Sequence, residues 1–253
     1  MTRLLTGVYL RRTIALVIFL GGWELLSRNG YIDPFYLPPP SAIWGWVQGQ
    51  FATGAIFPHM QATFGAALIG LALGIIAGIM LGFTAALMPY LAELLEPVMA
   101  MLNAIPRVIL APLFIIWLGI DLSSKVALSF ILVVVLTFFA VYNGIKDVDY
   151  RLVERVRTLG GGPLVLIREV YVPSVVAWVM GNLKVAVGFA FTGAVVGEFV
   201  ASARGLGYLL SYAQSTYNAT MTMALIFLIM VFVMILFTLA GLLERHLLRW
   251  KYA

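Results

Sequence analysis

The stretch Gln61–Met88, QATFGAALIGLALGIIAGIMLGFTAALM, contains no charged side chain and is almost entirely apolar. A helix needs about 20 mostly apolar residues to cross the hydrocarbon core of a bilayer, so this stretch predicts a membrane-spanning helix. Of the 253 residues in the whole chain, 62% are hydrophobic and only 11% are charged, and the mean hydropathy is +1.02. This composition excludes a water-soluble domain and predicts an all-α integral membrane protein.

About six segments of the chain are apolar enough, and long enough, to be membrane spans. They lie at about Arg12–Arg28, Gln61–Met88, Val98–Gly119, Val126–Ile145, Val175–Phe199 and Thr222–Leu243. We expect the first to be retained rather than cleaved as a signal peptide, because no small-residue cleavage site follows it. Residues 1–253 are thus predicted to form a single transmembrane domain.

Two stretches of the chain should depart from a simple spanning helix: the third span and the run 205–243. Pro106 and Pro112 each remove a backbone donor, so they should kink or break the third span. The run 205–243 has no charge, but as one helix it would be about 58 Å long, far longer than a bilayer core. We expect the polar patch Tyr212–Thr220 to divide this run into a short helix near Leu206–Tyr212 and the sixth span.

The distribution of basic residues predicts the orientation of the spans. Six spans put both termini on one side of the membrane. That side carries eleven basic residues, against three on the other: Arg28, Lys125 and Arg204. Lysine and arginine are enriched in cytoplasmic loops, so we expect both termini and the loop between the fourth and fifth spans to be cytoplasmic.

A ladder of small residues runs along the second span. Glycines recur there at every fourth position, which puts them on one helix face and lets another helix backbone approach closely. They are Gly70, Gly74, Gly78 and Gly82. The partner is either a helix of the same subunit, which we favour, or a second subunit.

Three charged residues within the spans are candidates for a solute path. Arg107 and Lys184 are expected at membrane depth, where a charge is costly and usually faces the bundle interior or a wet cavity. Each could contact an anionic solute, or be satisfied structurally by snorkelling or by pairing with a carbonyl or an acid. Glu198 could pair with Arg204, line an outer gate, or act as a structural acid.

The chain lacks the residues that disulfides, metal sites and nucleotide-binding loops require. The chain has no cysteine, and its two histidines are far apart in sequence, which argues against disulfides and a metal site. No GxxxxGK[ST] loop or HExxH motif is found. Basic cytoplasmic loops account for the net charge of +5, so no nucleic-acid partner is needed. We expect a transport subunit rather than an enzyme, with no cofactor bound by this chain.

The loop between the fourth and fifth spans, residues 147–173, is compact and charged. Asp149 precedes a predicted helix over residues 150–159, where an acid favours the positive helix N-terminus. Gly160–Gly162 should end this helix, and Pro163 should begin a second short one that stops before the fifth span. The result is a helix–turn–helix with one apolar face, a surface that can insert into the groove of a partner.

This loop resembles the signature of the permease subunits of bacterial ABC importers, the binding-protein-dependent transport family. The family pattern is E-A-A, three residues, G, nine residues, I-x-L-P. The chain has Glu154, Gly160 and Pro173 at that spacing, and Arg155 and Val156 replace the two alanines. YLPPPSAIW, HMQATFGAALIG, AIPRVILAPLFIIWLGI and GEFVASARGLGYLL look like the nitrate/sulfonate/taurine branch of the same family.

The resemblance implies a type I ABC importer fold in the bacterial inner membrane, with two permease subunits, two ATPase subunits and an external solute-binding protein. We favour two copies of this chain over a pair with a related permease. ATP and Mg would be bound by the ATPase. The residues implied in docking or coupling to the ATPase are Glu154, Arg155, Val156, Leu159, Gly160, Gly161 and Pro173.

The implied function is ATP-driven import of a small solute, for example a sulfonate, nitrate or a similar anion. The alternative is a secondary transporter or channel for a small anion, which Arg107 and Lys184 suggest. Against it, the sequence shows no convincing inverted repeat and few ionisable residues for ion coupling.

Overall fold

A computed structural model describes residues 2–248 of the chain, with side chains from Leu10 onward except that of Arg107. The regular structure in this range is helical. The α-helices are α1 (Thr2–Arg28), α2 (Pro40–Thr53), α3 (Phe57–Leu87), α4 (Pro89–Ala104), α5 (Leu110–Leu118), α6 (Leu122–Lys146), α7 (Tyr150–Thr158), α8 (Pro163–Leu166), α9 (Val172–Val200), α10 (Leu206–Ser215) and α11 (Ala219–Leu247).

Four helices are long and apolar enough to cross a membrane: α3, α6, the continuous helix Pro163–Val200 that contains α9, and α11. They confirm the predicted second, fourth, fifth and sixth spans. The predicted first span lies within α1, which is one helix but is less apolar than these four.

The predicted third span is broken near Pro106, as expected, and two helices occupy it. α4 ends at Ala104, a 3-10 turn follows at Arg107–Ile109, and α5 then begins. Pro106 explains the break, since its ring disfavours helical backbone in the preceding residue and Ile105 is extended (φ −69°, ψ 130°). Pro112 lies in the first turn of α5, where its missing N–H has no helical partner to lose.

The helix predicted to stop before the fifth span instead continues into it. A π turn at Ile167–Tyr171 joins α8 to α9, and the Val172 N–H donates to the Ile167 carbonyl five residues back. A proline ring crowds the carbonyl four residues before it, and a wide turn relieves that crowding. The π turn therefore lets the helix run past Pro173 without ending.

The end of the chain divides as the polar patch predicts. α10 stops at Ser215, Tyr217 takes a left-handed conformation (φ 52°), and α11 starts at Ala219. The Asn218 side chain accepts a hydrogen bond from the Met221 N–H (2.9 Å) and caps α11.

The glycine ladder of α3 packs against α6 within one subunit. A methyl group added at Gly74 would lie 2.6 Å from the Cβ of Val133, and one at Gly78 would lie 2.5 Å from the Cβ of Thr137. Gly70 and Gly82 meet α6 one turn further out at each end, at Ser129 and Val141. The two backbones therefore approach as closely as small-residue packing allows, and this contact belongs to a single chain.

α6 is the centre of the bundle, because α9 packs closely on it as well. A methyl group at Gly193 of α9 would lie 2.6 Å from the Cα of Ser129, whose hydroxyl donates to the Ala190 carbonyl (2.8 Å). This core leaves the bundle with two ends. The α7 end carries α7, α8 and the C-terminus of α6, and the α10 end carries α2, α10, the start of α3 and the end of α9.

Candidate functional site

The charged loop of the sequence folds as α7, a turn and α8 at one end of the bundle. The Asp149 carboxylate accepts a hydrogen bond from the Arg151 N–H (2.9 Å) and caps the first turn of α7. Val153 is buried, whereas the arginines of the helix are exposed. α7 therefore lies on the bundle through one apolar side and presents its other side outward.

The turn after α7 is fixed by two backbone hydrogen bonds around a left-handed glycine. Gly160 has φ +80°, its N–H donates to the Arg157 carbonyl (3.0 Å), and the Gly161 N–H donates to the Val156 carbonyl (2.9 Å). This pair of bonds is the Schellman motif that ends many helices. A methyl group at Gly161 would lie 2.5 Å from Val156 Cγ1, so both glycines and Val156 form one closely packed turn.

Three leucines around this turn are exposed at the α7 end. The exposed fractions are 51% for Leu152, 79% for Leu159 and 82% for Leu164. We call these three residues the α7 patch. Within residues 10–248 the ion pairs do not include Glu154, whose side chain is exposed.

The two helices that flank this segment are joined firmly where the segment begins and ends. The Ser174 hydroxyl of α9 donates to the Gly144 carbonyl of α6 (2.7 Å), and Trp178 packs directly on Gly144. Val141 and Val175 are buried beside them in one apolar cluster. The ends of α6 and α9 that flank α7 and α8 are therefore bound directly to each other.

A polar chain links the same end of α6 to α4. The Tyr142 hydroxyl donates to the Glu96 carboxylate (2.8 Å) and accepts a hydrogen bond from Lys146. Tyr142 is itself buried. The sequence did not predict this link, because Glu96 and Tyr142 are 46 residues apart.

The structure shows a partner for the charge of Lys184, but it does not describe the side chain of Arg107. Lys184 of α9 forms an ion pair with Glu244 of α11, with Nζ and Oε2 3.0 Å apart. Its charge is thus compensated by an acid, one of the structural alternatives considered for it. The side chain of Arg107 lies outside the described residues, and its backbone forms the turn between α4 and α5.

Glu198 is buried at the α10 end, with 1% of its surface exposed. Its Oε2 accepts hydrogen bonds from the Thr63 hydroxyl (2.8 Å) and from the Gly207 N–H (3.0 Å). The ion pairs within residues 10–248 do not include Arg204, so the suggested pairing with Glu198 is wrong. Thr63 was missed as a functional candidate, because a threonine within an apolar helix gives no distinct sequence signal.

Comparison with known proteins gives one consistent family. Residues 70–249 match the family described as binding-protein-dependent transport system inner membrane component. The riboflavin transport system permease protein RibX of Chloroflexus aurantiacus is 33% identical over 239 residues, covering 94% of this chain and 89% of RibX. SsuC of Bacillus subtilis, named provisionally as an aliphatic sulfonates transport permease, is 29% identical and covers 92% of this chain and 85% of its own.

A solved structure supports the same fold. An amino acid ABC transporter structure aligns with a TM-score of 0.66 at 16% identity, covering 79% of this chain and 97% of the aligned chain. The family match spans the core helices α6 and α9 together with α7, α8 and the Gly160 turn. This chain therefore belongs to the binding-protein-dependent transport system inner membrane components, as the permease subunit of an ABC importer.

Proposed function

We propose that the α7 patch and the Gly160 turn form the surface on which the ATPase subunit docks, and that this surface couples ATP hydrolysis to solute movement. The observation that carries this proposal is the Gly160 turn, which holds Leu159 and Leu164 exposed at the outside of the bundle. Exposed apolar side chains next to charged ones are typical of a surface that a protein partner covers. ATP and Mg belong to the ATPase in this proposal.

The charge distribution supports placing the α7 end in the cytoplasm of a bacterial cell, with the chain in the inner membrane. The α7 end carries several basic residues: Lys146, Arg151, Arg155, Arg157, Arg168 and Arg245. The α10 end carries fewer: Arg28, Lys125 and Arg204. Basic residues concentrate on the cytoplasmic side of membrane proteins, so the ATPase meets the α7 end.

The same orientation assigns the other partners. The external solute-binding protein delivers its cargo at the α10 end, and a second copy of this chain completes the pair of permeases. Each copy then offers one α7 patch to one ATPase. Because α6 and α9 are joined at Gly144 and Ser174, movement of a docked ATPase is transmitted along both helices toward the α10 end.

We propose that the solute is a small polar organic molecule. RibX and SsuC, named for riboflavin and for aliphatic sulfonates, are similar to this chain over almost all of its length. Lys184 is paired with Glu244, so it adds no uncompensated positive charge for an anion. Of the two cations that suggested an anionic solute, Arg107 alone keeps that role as a hypothesis.

The test is purification of the chain together with its ATPase and solute-binding protein, with one variant in the turn. Gly160→Val forces a branched side chain into φ +80°, a conformation that such residues rarely adopt. We expect this variant to lose ATPase binding and the stimulation of ATP hydrolysis by loaded binding protein.

Gly162→Val is the matched control. Gly162 has φ −79°, and a methyl group there meets no atom within 4 Å, so a side chain is accommodated without strain. This control should retain the ATPase. Full ATPase binding and stimulation by Gly160→Val would reject the proposed coupling surface.

A further inference from the structure

The α10 end contains a buried carboxylate that the coupling proposal does not use. Glu198 lies in the last turn of α9 and is almost completely buried. A buried carboxylate is costly unless hydrogen bonds or an opposite charge compensate for it. Lys125, itself buried on α6, interacts electrostatically with Glu198 and donates its own hydrogen bond to the Ile120 carbonyl (2.7 Å).

The hydrogen bonds of Glu198 join three helices at one point. Thr63 of α3 donates to Glu198 Oε2 (2.8 Å), and the same hydroxyl accepts from the Leu206 N–H (2.8 Å). The Gly207 N–H also donates to Glu198 Oε2 (3.0 Å). The first amides of a helix have no partner within that helix. Here the first two amides of α10 are bound by side chains from α3 and α9.

The backbone that enters α10 is pressed onto this carboxylate. Gly205 has φ +125°, and a methyl group there would overlap the carboxyl group of Glu198. A methyl group at Gly207 would lie 2.8 Å from Glu198 Cβ. The chain can therefore pass this closely over Glu198 only because both positions are glycine.

His59 holds the same segment from the other side. Its Nδ1 accepts a hydrogen bond from the Gly205 N–H (3.2 Å), and its ring stacks on that of Tyr208 with the ring centres 5.9 Å apart. His59 and Thr63 are one turn apart on α3, so α3 presents both contacts from one face. The start of α10 is thus fixed to α3 and α9 by side chains that are distant in sequence.

α10 in turn forms one wall of a cavity of about 230 Å³ against the end of α9. The cavity is lined by hydroxyl groups as well as by Glu198: Ser202, Tyr208, Ser211, Tyr212 and Ser215. Two larger cavities in the described part of the chain, of about 580 and 550 Å³, are lined mainly by apolar side chains. A hydrophilic solute needs polar groups to replace its water, and the cavity beside α10 offers them.

We propose that Glu198 is a positioning residue of the transport cycle. Its carboxylate, with Thr63, holds α10 in place and so maintains the hydroxyl-lined cavity at the end of the bundle where solute is delivered. This inference rests on the proposed function for the direction of delivery. The attachment of α10 itself can be tested without any transport.

The chain contains no cysteine, which allows the position of α10 to be measured by thiol labelling. Ala213 of α10 is fully buried, and Ser215 on the same helix is exposed. In the full-length permease we expect Ala213→Cys to react slowly with a membrane-impermeant maleimide and Ser215→Cys to react rapidly. Thr63→Val removes the hydroxyl that binds both Glu198 and Leu206, so it should accelerate labelling of Ala213→Cys about tenfold.

Two conservative variants show whether hydrogen bonding is the cause. Thr63→Ser keeps the hydroxyl and should restore slow labelling. Glu198→Gln keeps an acceptor for Thr63 and Gly207, whereas Glu198→Met has similar length and no such acceptor. We expect rapid labelling with Glu198→Met and slow labelling with Glu198→Gln, so the result does not depend on the folding of one variant.

The functional readout is ATP hydrolysis as a function of the concentration of loaded binding protein. Thr63→Val should raise the half-saturating concentration by about tenfold and lower the maximal rate much less, with recovery in Thr63→Ser. Unchanged labelling in both Thr63→Val and Glu198→Met would overturn the inference. Faster labelling without any stimulation of ATP hydrolysis in the parent protein would instead overturn the proposed function and leave the attachment of α10 confirmed.

Discussion

The two ends of this bundle hold their short helices in different ways. α7 is held by its own backbone turn and by one buried valine, and its leucines remain exposed. α10 is held by side chains of α3 and α9 that reach its first amides, and its inner face is buried. The attachment of α7 leaves its apolar side chains free, as a surface for a separate partner requires. The attachment of α10 uses contacts from distant helices, as a surface that the chain itself covers requires.

The largest expected effect comes from disrupting the contact between α3 and α6, the two helices that support both ends of the bundle. Gly74→Val places its Cβ 2.6 Å from the Val133 Cβ and 3.1 Å from the Phe130 carbonyl oxygen, so α3 and α6 must separate. We expect the free energy of unfolding to fall by about 1–3 kcal/mol, the usual cost of overpacking a core. The measurement is the fraction of protein that remains monodisperse in detergent after heating.

Gly65→Val on the same helix is the control for that experiment. A methyl group at Gly65 meets no atom within 4 Å, so this variant should behave like the parent protein. Equal stability of the two variants would show that α3 and α6 do not pack through the ladder.

The next effect concerns the α7 patch alone. Leu159→Glu places a charge at the centre of the proposed docking surface, and central apolar anchors at interfaces are commonly worth about 2 kcal/mol. We expect ATPase binding to weaken by more than tenfold while the permease stays folded. Tyr36→Glu, at an exposed position of the α10 end, should leave ATPase affinity unchanged. Equal affinity of both variants would remove Leu159 from the interface.

The helix caps at the two ends offer a smaller contrast. Asp149 caps the short, exposed α7, whereas Asn218 caps the long α11. Replacing either cap with alanine costs about 1 kcal/mol of helix stability. We expect Asp149→Ala to speed amide hydrogen exchange throughout α7, because little packing opposes its opening. Asn218→Ala should affect only the first turn of α11, and exchange spreading along α11 would contradict this contrast.

The smallest effect is expected at the ion pair between α9 and α11. Lys184 has 45% of its side chain exposed, so its pair with Glu244 is worth about 1 kcal/mol or less. Lys184→Met should reduce uptake a few-fold at most, and the double variant Lys184→Met/Glu244→Met should recover it, because neither charge is then left alone. A severe loss of uptake in the double variant would indicate that Lys184 contacts the solute directly.

Features that depend on local sequence were predictable. The apolar spans, the break at Pro106, the end of α7 at the glycines and the division at Tyr212–Thr220 all follow from composition, proline and glycine. The π turn before Pro173 was not predicted, because a proline usually indicates a helix boundary, and here a widened turn accommodates it.

Features that depend on distant contacts were not predictable. Thr63 and Glu198 are 135 residues apart, and Lys184 and Glu244 are 60 apart, so no spacing rule connects them. The Gly ladder indicated a close helix contact, but only the fold shows that α6 is the partner. The sequence therefore predicted the helix, glycine turn and second helix of the loop at residues 147–173, but it gave only one residue of each buried polar contact.

Protection of single cysteines by the ATPase tests the central claim most directly. Leu159→Cys at the α7 end and Ser215→Cys at the α10 end are each placed in the cysteine-free chain and labelled with maleimide, with and without the ATPase subunit. The proposed coupling surface predicts that the ATPase slows labelling of Leu159→Cys strongly and leaves Ser215→Cys unchanged. Protection of Ser215→Cys, or of neither cysteine in a complex that is demonstrably assembled, would contradict it.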